Sequence, residues 1–208
     1  MTRLLVATTN HNKVREIRQL LAGAPVELLT LEAWPALAAP KETGRTFEEN
    51  ARLKAEYYAE ATGELTVAED SGLEIAALGG APGVESARFG GADASYPDKF
   101  ALIYTALRSR GGLESPARFV CALVCATHDR VLFEGRGTVE GRIAPAPRGE
   151  GGFGYDPIFF YPPFGQTLAE VGDLKAAVSH RGKAFRKLCD FLQVFTSEQA
   201  ESHTRDGR

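Results

Sequence analysis

The sequence predicts an α/β fold with a mixed central β-sheet and flanking helices. Short apolar runs alternate with helical patterns through the first hundred residues, as they do in strand–helix–strand units. Two longer apolar runs, 117–126 and 130–140, are separated only by residues 127–129, which predicts an antiparallel hairpin. Parallel and antiparallel strands together make the predicted sheet a mixed one.

The helices are predicted from periodic apolar faces and from residues that suit helix starts. Thr46 is followed three residues later by Glu49, the spacing of a capping box. Pro97 suits the first turn of a helix, and Ser179 suits an N-cap. The predicted helices begin near Asn10, Thr46, Pro97 and Ser179.

The strands are predicted from short apolar runs that are bounded by turn residues. The run 65–68 is expected to end at Glu69-Asp70-Ser71-Gly72, before a glycine-rich loop that extends to Gly91. The predicted strands are 4–7, 25–30, 65–68, 117–126, 130–140 and 157–160.

Length and composition indicate one folded domain. The chain has 208 residues, the size of one large domain, which we place at 1–196. The polar segment 197–208 has no aliphatic side chain larger than alanine, so we expect a disordered tail. The chain holds 22 glycines, with six between Gly72 and Gly91 and seven between Gly135 and Gly154. Glycine is useful where the backbone turns sharply or approaches a ligand, so two loops around a site are expected.

Charge and cysteine content exclude several classes of protein. A net charge of −3 argues against a protein that binds the backbone of nucleic acids. No apolar run is long enough to cross a membrane, and the run at 4–7 is too short for a signal peptide. Cys121 and Cys125 are too far apart along one predicted strand for a disulfide, and a third cysteine is left over. A reducing, cytoplasmic location is therefore predicted.

Two polar segments follow buried strands and are candidates for phosphate and metal chemistry. Glu69 and Asp70 end a strand, and Mg²⁺ prefers one or two carboxylates together with phosphate oxygens. The segment 8–13, Thr-Thr-Asn-His-Asn-Lys, opens a helix whose N-terminus can bind an anion. A solvated acid pair and a plain N-cap are the alternatives at these two places. A functional role for Lys54 is expected only if its face of the helix lies against Glu69 and Asp70.

Two later segments suit the recognition of a base. Phe153 is framed by glycines and can present its ring to a base, with Asp156 available to accept an N–H. A ring that is simply buried in the core is the alternative. His180 and Arg181 stand at a helix start with Lys175 upstream, although each alone is more often a surface residue. The segment 149–154 matches G-x-G-x-x-G, but no strand precedes it and no helix follows, so a dinucleotide fold is rejected.

Six segments in order resemble the inosine triphosphate pyrophosphatase family, which includes bacterial dITP/XTP diphosphatases. Together they span nearly the whole chain, so the resemblance is more specific than any one of them. They are Ala-Thr-Thr-Asn-His-Asn-Lys (7–13), Glu-Thr-Gly-Arg-Thr-Phe-Glu-Glu-Asn-Ala (42–51), Glu-Asp-Ser-Gly-Leu (69–73), Gly-Gly-Ala-Pro-Gly-Val-Glu-Ser-Ala-Arg (79–88), Gly-Gly-Phe-Gly-Tyr-Asp-Pro-Ile-Phe (151–159) and Ser-His-Arg-Gly (179–182).

The resemblance implies a fold with two lobes around a cleft, a homodimer and a Mg²⁺-dependent reaction. That reaction converts non-standard purine nucleoside triphosphates (ITP, dITP, XTP) to the monophosphate and diphosphate, with Asp70 as the base. The metal ligands it implies are Glu42, Glu69 and Asp70. The substrate-binding residues are Thr8, Thr9, Asn10, His11, Asn12, Lys13, Lys54, Ser71, Phe153, Gly154, Tyr155, Asp156, Lys175, His180 and Arg181.

The chain departs from the family's pattern at three positions. Thr9 stands where a glycine is frequent, Glu69 where an aspartate is frequent, and Leu174 where an acid is frequent. Two other functions remain open at this point. One is a pyrophosphatase acting on modified pyrimidine or standard nucleotides, and the other is a sensor that binds nucleotides without cleaving them.

Overall fold

The computed structural model describes residues 1–206, with side chains described as far as Glu201. Its strands and helices alternate along the first half of the chain, as predicted. In chain order they are β1 (Thr2–Val6), α1 (His11–Leu20), β2 (Val26–Thr30), α2 (Phe47–Thr62), β3 (Leu65–Ile75), α3 (Tyr96–Arg108), β4 (Pro116–Ala126), β5 (Val131–Ile143), β6 (Phe159–Tyr161), β7 (Gln166–Thr167), α4 (Lys175–Val178) and α5 (His180–Asp206).

Within residues 1–206 the strands form one seven-stranded sheet, in the order β2-β1-β3-β4-β5-β6-β7. β1 pairs in parallel with β2, placing Leu4 opposite Leu28, and in parallel with β3. β6 pairs antiparallel with both β5 and β7. The prediction of an α/β fold with a mixed sheet is therefore confirmed.

The chain divides into two compact units. Unit 1 comprises Met1–Asp70, Ala122–Arg136 and the chain from Lys183 onward, and unit 2 comprises Ser71–Cys121 and Gly137–Gly182. β3, β4 and β5 each contribute residues to both units. That the units form a single catalytic domain with a cleft stays a prediction.

Unit 1 is built around β1, whose Leu4 and Leu5 are fully buried. Cys189 of α5 donates its thiol hydrogen to the carbonyl oxygen of Leu20, with 3.5 Å between sulfur and oxygen. The rings of Phe191 and Phe133 stack with their centroids 5.0 Å apart, so α5 also packs on β5. The buried strand β1 leads directly into the segment 8–13, which fixes where that segment begins.

Unit 2 has a core of its own, in which α3 packs on the sheet. Ile103 and Leu107 of α3 are buried together with Leu73 and Ile75 of β3. Tyr155 also belongs to this core and is 3% exposed. A residue from the predicted base-binding segment is therefore part of the apolar packing of this unit.

β3 is longer than the sequence predicts. The predicted strand ends at Ala68, whereas β3 continues to Ile75, so Glu69 and Asp70 lie inside the strand and not in a following loop. Ser71 and Gly72 have the composition of a turn, but tertiary pairing keeps this segment extended. Side chains alternate along a strand, so the two neighbouring acids have different surroundings.

Three other boundaries differ from the predictions. Residues 156–158 form a 3-10 turn, so the strand predicted at 157–160 begins only at Phe159. The short elements β7 and α4 carry too few residues for a periodic pattern, and the sequence does not predict them. α5 extends to Asp206, beyond the end predicted near residue 196. Residues 207–208 lie outside the described residues, and the disordered tail predicted at 197–208 stays a prediction.

None of the three cysteines, all of which lie within the described residues, forms a disulfide. None of the helices within residues 1–206 is both long and apolar enough to cross a membrane.

Candidate active site

The segment 8–13 connects β1 to α1 and is capped by its own asparagine. Asn10 Oδ1 accepts hydrogen bonds from the backbone N–H groups of Asn12 (3.0 Å) and Lys13 (3.2 Å). The N-cap interpretation is therefore confirmed for Asn10. The ammonium of Lys13 lies 3.4 Å from Glu69 Oε1, so the segment reaches the predicted acid pair.

A cavity of about 260 Å³ opens beside this segment. It is lined by Thr8, Thr9 and His11 on one side and by residues 30–37, including Trp34, on the other. Thr9 and His11 are exposed there, whereas β1 before them is buried. These two side chains are therefore accessible to a small molecule.

Three carboxylates and two lysines meet in unit 1, and we call Lys13, Glu42, Lys54, Glu69 and Asp70 the acidic cluster. Lys54 Nζ lies 2.6 Å from Glu42 Oε1 and 3.5 Å from Asp70 Oδ1. Glu69 and Asp70 are 2% and 6% exposed, which excludes the alternative of a solvated acid pair. Lys54 therefore lies against these carboxylates, as its functional role requires.

Asn50 fixes the second oxygen of Asp70. Its amide group donates a hydrogen bond of 3.1 Å to Asp70 Oδ2, and its own Oδ1 accepts one of 2.8 Å from Gly44 N–H. Asn50 lies one helical turn before Lys54 on α2, so the two residues share one face of that helix. Together they hold both oxygens of the Asp70 carboxylate.

Burial and neighbouring charges shift the pKa values of Asp70 and Lys54 in opposite directions. Burial raises the pKa of Asp70, and the nearby Lys54 and Lys13 ammoniums only partly offset it. Burial alone lowers the pKa of Lys54, but the carboxylates of Asp70, Glu42 and Glu69 outweigh it and leave that pKa raised. Lys54 therefore stays charged, while Asp70 is a stronger base than a carboxylate on the surface.

The acidic cluster offers hard oxygen ligands of the kind that Mg²⁺ prefers. Within the described part of the chain, no three histidine, cysteine or acidic side chains are already arranged to hold a metal ion. Glu42 and Asp70 do converge on one cation, the ammonium of Lys54. One or two carboxylates are what Mg²⁺ ordinarily takes from a protein when phosphates supply the rest, so the residues present fit this ion.

Five residues of unit 2 form a second group, and we call Ser71, Phe153, Asp156, Lys175 and Arg181 the Phe153 cluster. Asp156 Oδ2 accepts hydrogen bonds from Lys175 Nζ (2.6 Å) and from the backbone N–H of Phe153 (2.8 Å). Asp156 is 2% exposed. It therefore holds both the aromatic residue and the lysine in place.

Two cations lie over the ring of Phe153. Lys175 Nζ is 5.0 Å and Arg181 Cζ is 5.4 Å from the ring centroid, within the range of cation–π attraction. Arg181 is 1% exposed and donates a hydrogen bond of 3.0 Å to Ser71 Oγ. Because Phe153 itself is half-buried, the alternative of a ring hidden in the core is not what the structure shows.

Gly152 shows why this segment needs glycine. Its φ is +69°, and a Cβ added there would overlap Asp156 Oδ2 and lie 3.1 Å from Lys175 Nζ. Any larger residue would displace the ion pair between Asp156 and Lys175. Glycine at this position is thus required by both backbone conformation and close approach.

Other predicted site residues take less exposed positions. The ring of His180 stacks on Phe119 with 4.7 Å between centroids, and His180 is 5% exposed. The phenol of Tyr155 donates to the carbonyl oxygen of Ser86 (2.8 Å), while Gly154 lies beside the ring of Tyr96. The side chains of His180 and Tyr155 therefore face the protein interior.

Sequence reasoning paired Asn50 with Lys54 on one helix face without giving it a role in the site, and it gave Tyr96 and Ser86 no role in the site. Asn50 has a signal in the sequence, since it stands four residues before Lys54 on a predicted helix. Tyr96 and Ser86 have none, because their contacts depend on how distant segments fold back. The Tyr96 ring packs on Tyr155 with 5.4 Å between centroids, and its pKa is raised by burial and by the charge of Asp156.

These features define a mixed α/β protein with two buried carboxylates beside half-buried lysines in one unit and an aromatic ring beneath two cations in the other. A family model described as the Ham1 family matches residues 4–191. The chain belongs to this family, and the resemblance inferred from the six segments is confirmed.

Curated relatives and solved structures agree with that assignment. A dITP/XTP pyrophosphatase from Thermus thermophilus is 51% identical over 189 residues, covering 90% of each chain. A dITP/XTP pyrophosphatase from Geobacter sulfurreducens is 45% identical, covering 92% of this chain and 97% of its own length. A HAM1 protein from Coxiella burnetii has a TM-score of 0.86 and 36% identity, covering 93% of this chain and 99% of its own.

Proposed function

We propose that this protein hydrolyses non-standard purine nucleoside triphosphates (ITP, dITP and XTP) to the monophosphate and diphosphate. The observation that carries the proposal is the buried Asp70 carboxylate, with one oxygen bound to Asn50 and the other facing Lys54. The names of the relatives, dITP/XTP pyrophosphatase, support the same activity.

Asp70 is the base in the proposed reaction. It takes a proton from a water molecule whose oxygen attacks the α-phosphorus. The new bond joins that oxygen to phosphorus, and the bond between the α-phosphorus and the bridging oxygen to the β-phosphate breaks. A raised pKa makes Asp70 a better proton acceptor, and Asn50 keeps its carboxylate oriented.

Lysines and the N-terminal segment bind the phosphates. Lys13 and Lys54 lie among the carboxylates of the acidic cluster and oppose the negative charge of the departing diphosphate. Thr9 and His11 of the segment 8–13 contact phosphate oxygens in the proposed complex, and their exposure supports this role. Asp70 with Glu42 or Glu69 would hold Mg²⁺, which would supply positive charge that offsets the repulsion between these carboxylates and the triphosphate.

The Phe153 cluster recognises the base. The purine stacks on the half-buried ring of Phe153, a contact worth about 1–3 kcal/mol. Donors near His180 and Arg181 bind the 6-oxo group, which adenine lacks. A site built for such bonds can reject the wrong base by up to about 10⁴-fold. Since Asp156 already accepts from Phe153 and Lys175, its first role here is to hold them in position.

The protein acts as a cytoplasmic homodimer in this proposal. Its remaining substrate-binding residues are Thr8, Asn10, Asn12, Ser71, Gly154 and Tyr155. A net charge of −3 supports small nucleotides and not nucleic acids as its partners.

A panel of triphosphates tests the activity. ITP, XTP, GTP, dTTP and UTP are incubated separately with the protein and Mg²⁺, and monophosphate and diphosphate are quantified. We expect rapid release of both products from ITP and XTP, and none after EDTA is added. Preference for dTTP or UTP would instead favour the pyrimidine pyrophosphatase, and nucleotide binding without any product would favour the sensor.

A further inference from the structure

The glycine-rich loop 79–91 is not used by the proposed function, yet it packs closely on β3. Gly79, Gly80 and Gly83 have positive φ values, so the chain turns back on itself immediately after β3. An isolated β-bridge between Glu74 and Pro82 continues the contact with that strand. The turn places Ser86 against the backbone that follows Ser71.

Ser86 is bound on both sides of its hydroxyl group. Ser86 Oγ accepts a hydrogen bond of 2.9 Å from Leu73 N–H and donates one of 2.6 Å to the carbonyl oxygen of Gly83. Gly72 has no room for a side chain, because an added Cβ would overlap Ser86 Oγ and lie 2.6 Å from Gly83 O. Ser86 is 5% exposed, so these bonds are shielded from water.

The carbonyl group of Ser86 binds the segment that carries Phe153. The phenol of Tyr155 donates a hydrogen bond of 2.8 Å to Ser86 O, and burial raises the pKa of Tyr155, so this phenol remains a donor. Lys99 of α3 holds the next residue of the loop, since its Nζ donates to Ala87 O at 2.6 Å. The loop is thus fixed between α3 and the Phe153 segment.

Ser86 therefore contacts two residues, Leu73 and Tyr155, that lie close in sequence to members of the Phe153 cluster. Through Leu73 it fixes the backbone two residues after Ser71, the residue whose hydroxyl accepts a hydrogen bond from Arg181. Through Tyr155 it fixes the backbone between Gly154 and Asp156, which in turn holds Phe153. A single serine links the two segments on which base recognition depends.

We propose that Ser86 is a positioning residue for the nucleobase, acting through Leu73 on one side and Tyr155 on the other. This inference rests on the proposed function, because it assigns the base to the Phe153 cluster. Loss of either bond shifts the ring of Phe153 relative to Arg181, while the acidic cluster of unit 1 keeps its own contacts. The effect is on base binding and not on the proton transfer.

The test compares two buried tyrosines that each donate to a backbone carbonyl within unit 2. Tyr155→Phe removes the bond to Ser86 O (2.8 Å), and Tyr104→Phe removes a bond to the backbone oxygen of Ala144 (2.9 Å), which is not a member of the cluster. Ser86→Ala is the third variant, and circular dichroism with thermal melting checks that each one folds. Steady-state kinetics with ITP and GTP gives KM and kcat separately.

Tyr155→Phe and Ser86→Ala are expected to raise KM for ITP about tenfold and to reduce the preference for ITP over GTP, with a smaller change in kcat. Tyr104→Phe is expected to lower the melting temperature comparably while KM and the ITP preference stay at wild-type values. Unchanged KM and preference in Tyr155→Phe, or an equal change in Tyr104→Phe, would overturn the role of Ser86.

Binding of inosine monophosphate, measured by calorimetry, separates this inference from the proposed function. It requires no turnover, so it reports on base recognition even if wild-type protein fails to cleave ITP. A Kd about tenfold higher in Tyr155→Phe than in Tyr104→Phe supports positioning by Ser86. Equal affinities, or no binding to the wild-type protein, would refute it.

Discussion

The amide of Asn50 donates a 3.1 Å hydrogen bond to Oδ2 of Asp70, and both residues are buried in unit 1. Asn50 also accepts from Gly44 N–H, so the amide cannot rotate freely. A carboxylate held this way has one oxygen occupied and the other directed at Lys54. The pair therefore defines which oxygen of Asp70 is available to accept a proton.

Asn50→Ala tests whether Asn50 orients the Asp70 carboxylate or only stabilises the fold. It leaves Asp70 without its partner, and we expect kcat for ITP to fall at least about tenfold because the base is misplaced. Ser115→Ala is the matched control, since Ser115 is also buried and accepts from a backbone N–H, that of Ala77. Both changes should cost about 1–3 kcal/mol of unfolding free energy. An equal loss of kcat in both variants would contradict an orienting role for Asn50.

The pH profile should follow the raised pKa of Asp70. The base must be deprotonated, so kcat/KM should rise with pH through a midpoint above 3.8, the ordinary value for this carboxyl. Lys54→Met removes a positive charge that opposes the shift, so the midpoint should move to still higher pH. Lys41→Met, at an exposed lysine, is the control and should leave it in place. A midpoint that is insensitive to Lys54 would argue against Asp70 as the titrating base.

The same shift has a consequence for stability. A carboxyl whose pKa is raised on folding binds its proton more tightly in the folded state. Its stabilising contribution is fully present below pH 3.8 and is lost as pH rises through the folded pKa. Asp70→Asn should therefore remove this pH dependence of the unfolding free energy, which chemical denaturation at several pH values measures.

Phe153→Ala should weaken base binding and leave the fold intact. Loss of stacking is expected to raise KM for ITP about tenfold or more, with a smaller change in kcat. Phe164→Ala removes an exposed aromatic ring elsewhere in unit 2 and serves as the control. Wild-type KM in Phe153→Ala, measured by steady-state kinetics, would show that the purine does not stack on this ring.

Gly152→Ala tests the close approach of Asp156 and Lys175. Gly152 and Gly165 have similar φ values of +69° and +66°, so alanine at either position carries a similar backbone strain. Only at Gly152 would the added Cβ meet Asp156 Oδ2, whereas nothing lies within 4 Å at Gly165. We expect Gly152→Ala to lower the melting temperature further and to raise KM for ITP. Equal effects of both substitutions would mean that strain alone explains them.

Helix starts can be predicted from the sequence because the residues that cap a helix lie next to it in the chain. Thr46 caps α2 as predicted, and of the two asparagines considered as caps for α1 it is Asn10 that does so, because a cap depends on neighbours a few residues away. The capping box is altered in one detail, since Glu49 accepts from Arg45 N–H and not from Thr46 N–H. Local signals of this kind can be read without knowledge of the rest of the chain.

Features that depend on distant segments could not be predicted. The end of β3 is in contact with Ser86, which lies against Gly72 and binds Leu73 N–H from thirteen positions further along the chain. The ion pair between Asp156 and Lys175 likewise depends on how a loop returns to the sheet. The sequence analysis named both residues as binding the substrate, but their contact with each other appears only in the folded chain.

The most direct measurement is the single-turnover rate of diphosphate release from ITP by Asp70→Asn, beside wild-type protein and an Asp129→Asn control. Asp129 is exposed and lies in the turn between β4 and β5. We expect ITP affinity to be largely kept and the rate to fall at least about 100-fold, the usual contribution of a general base. A rate within a few fold of wild type would show that Asp70 is not the base.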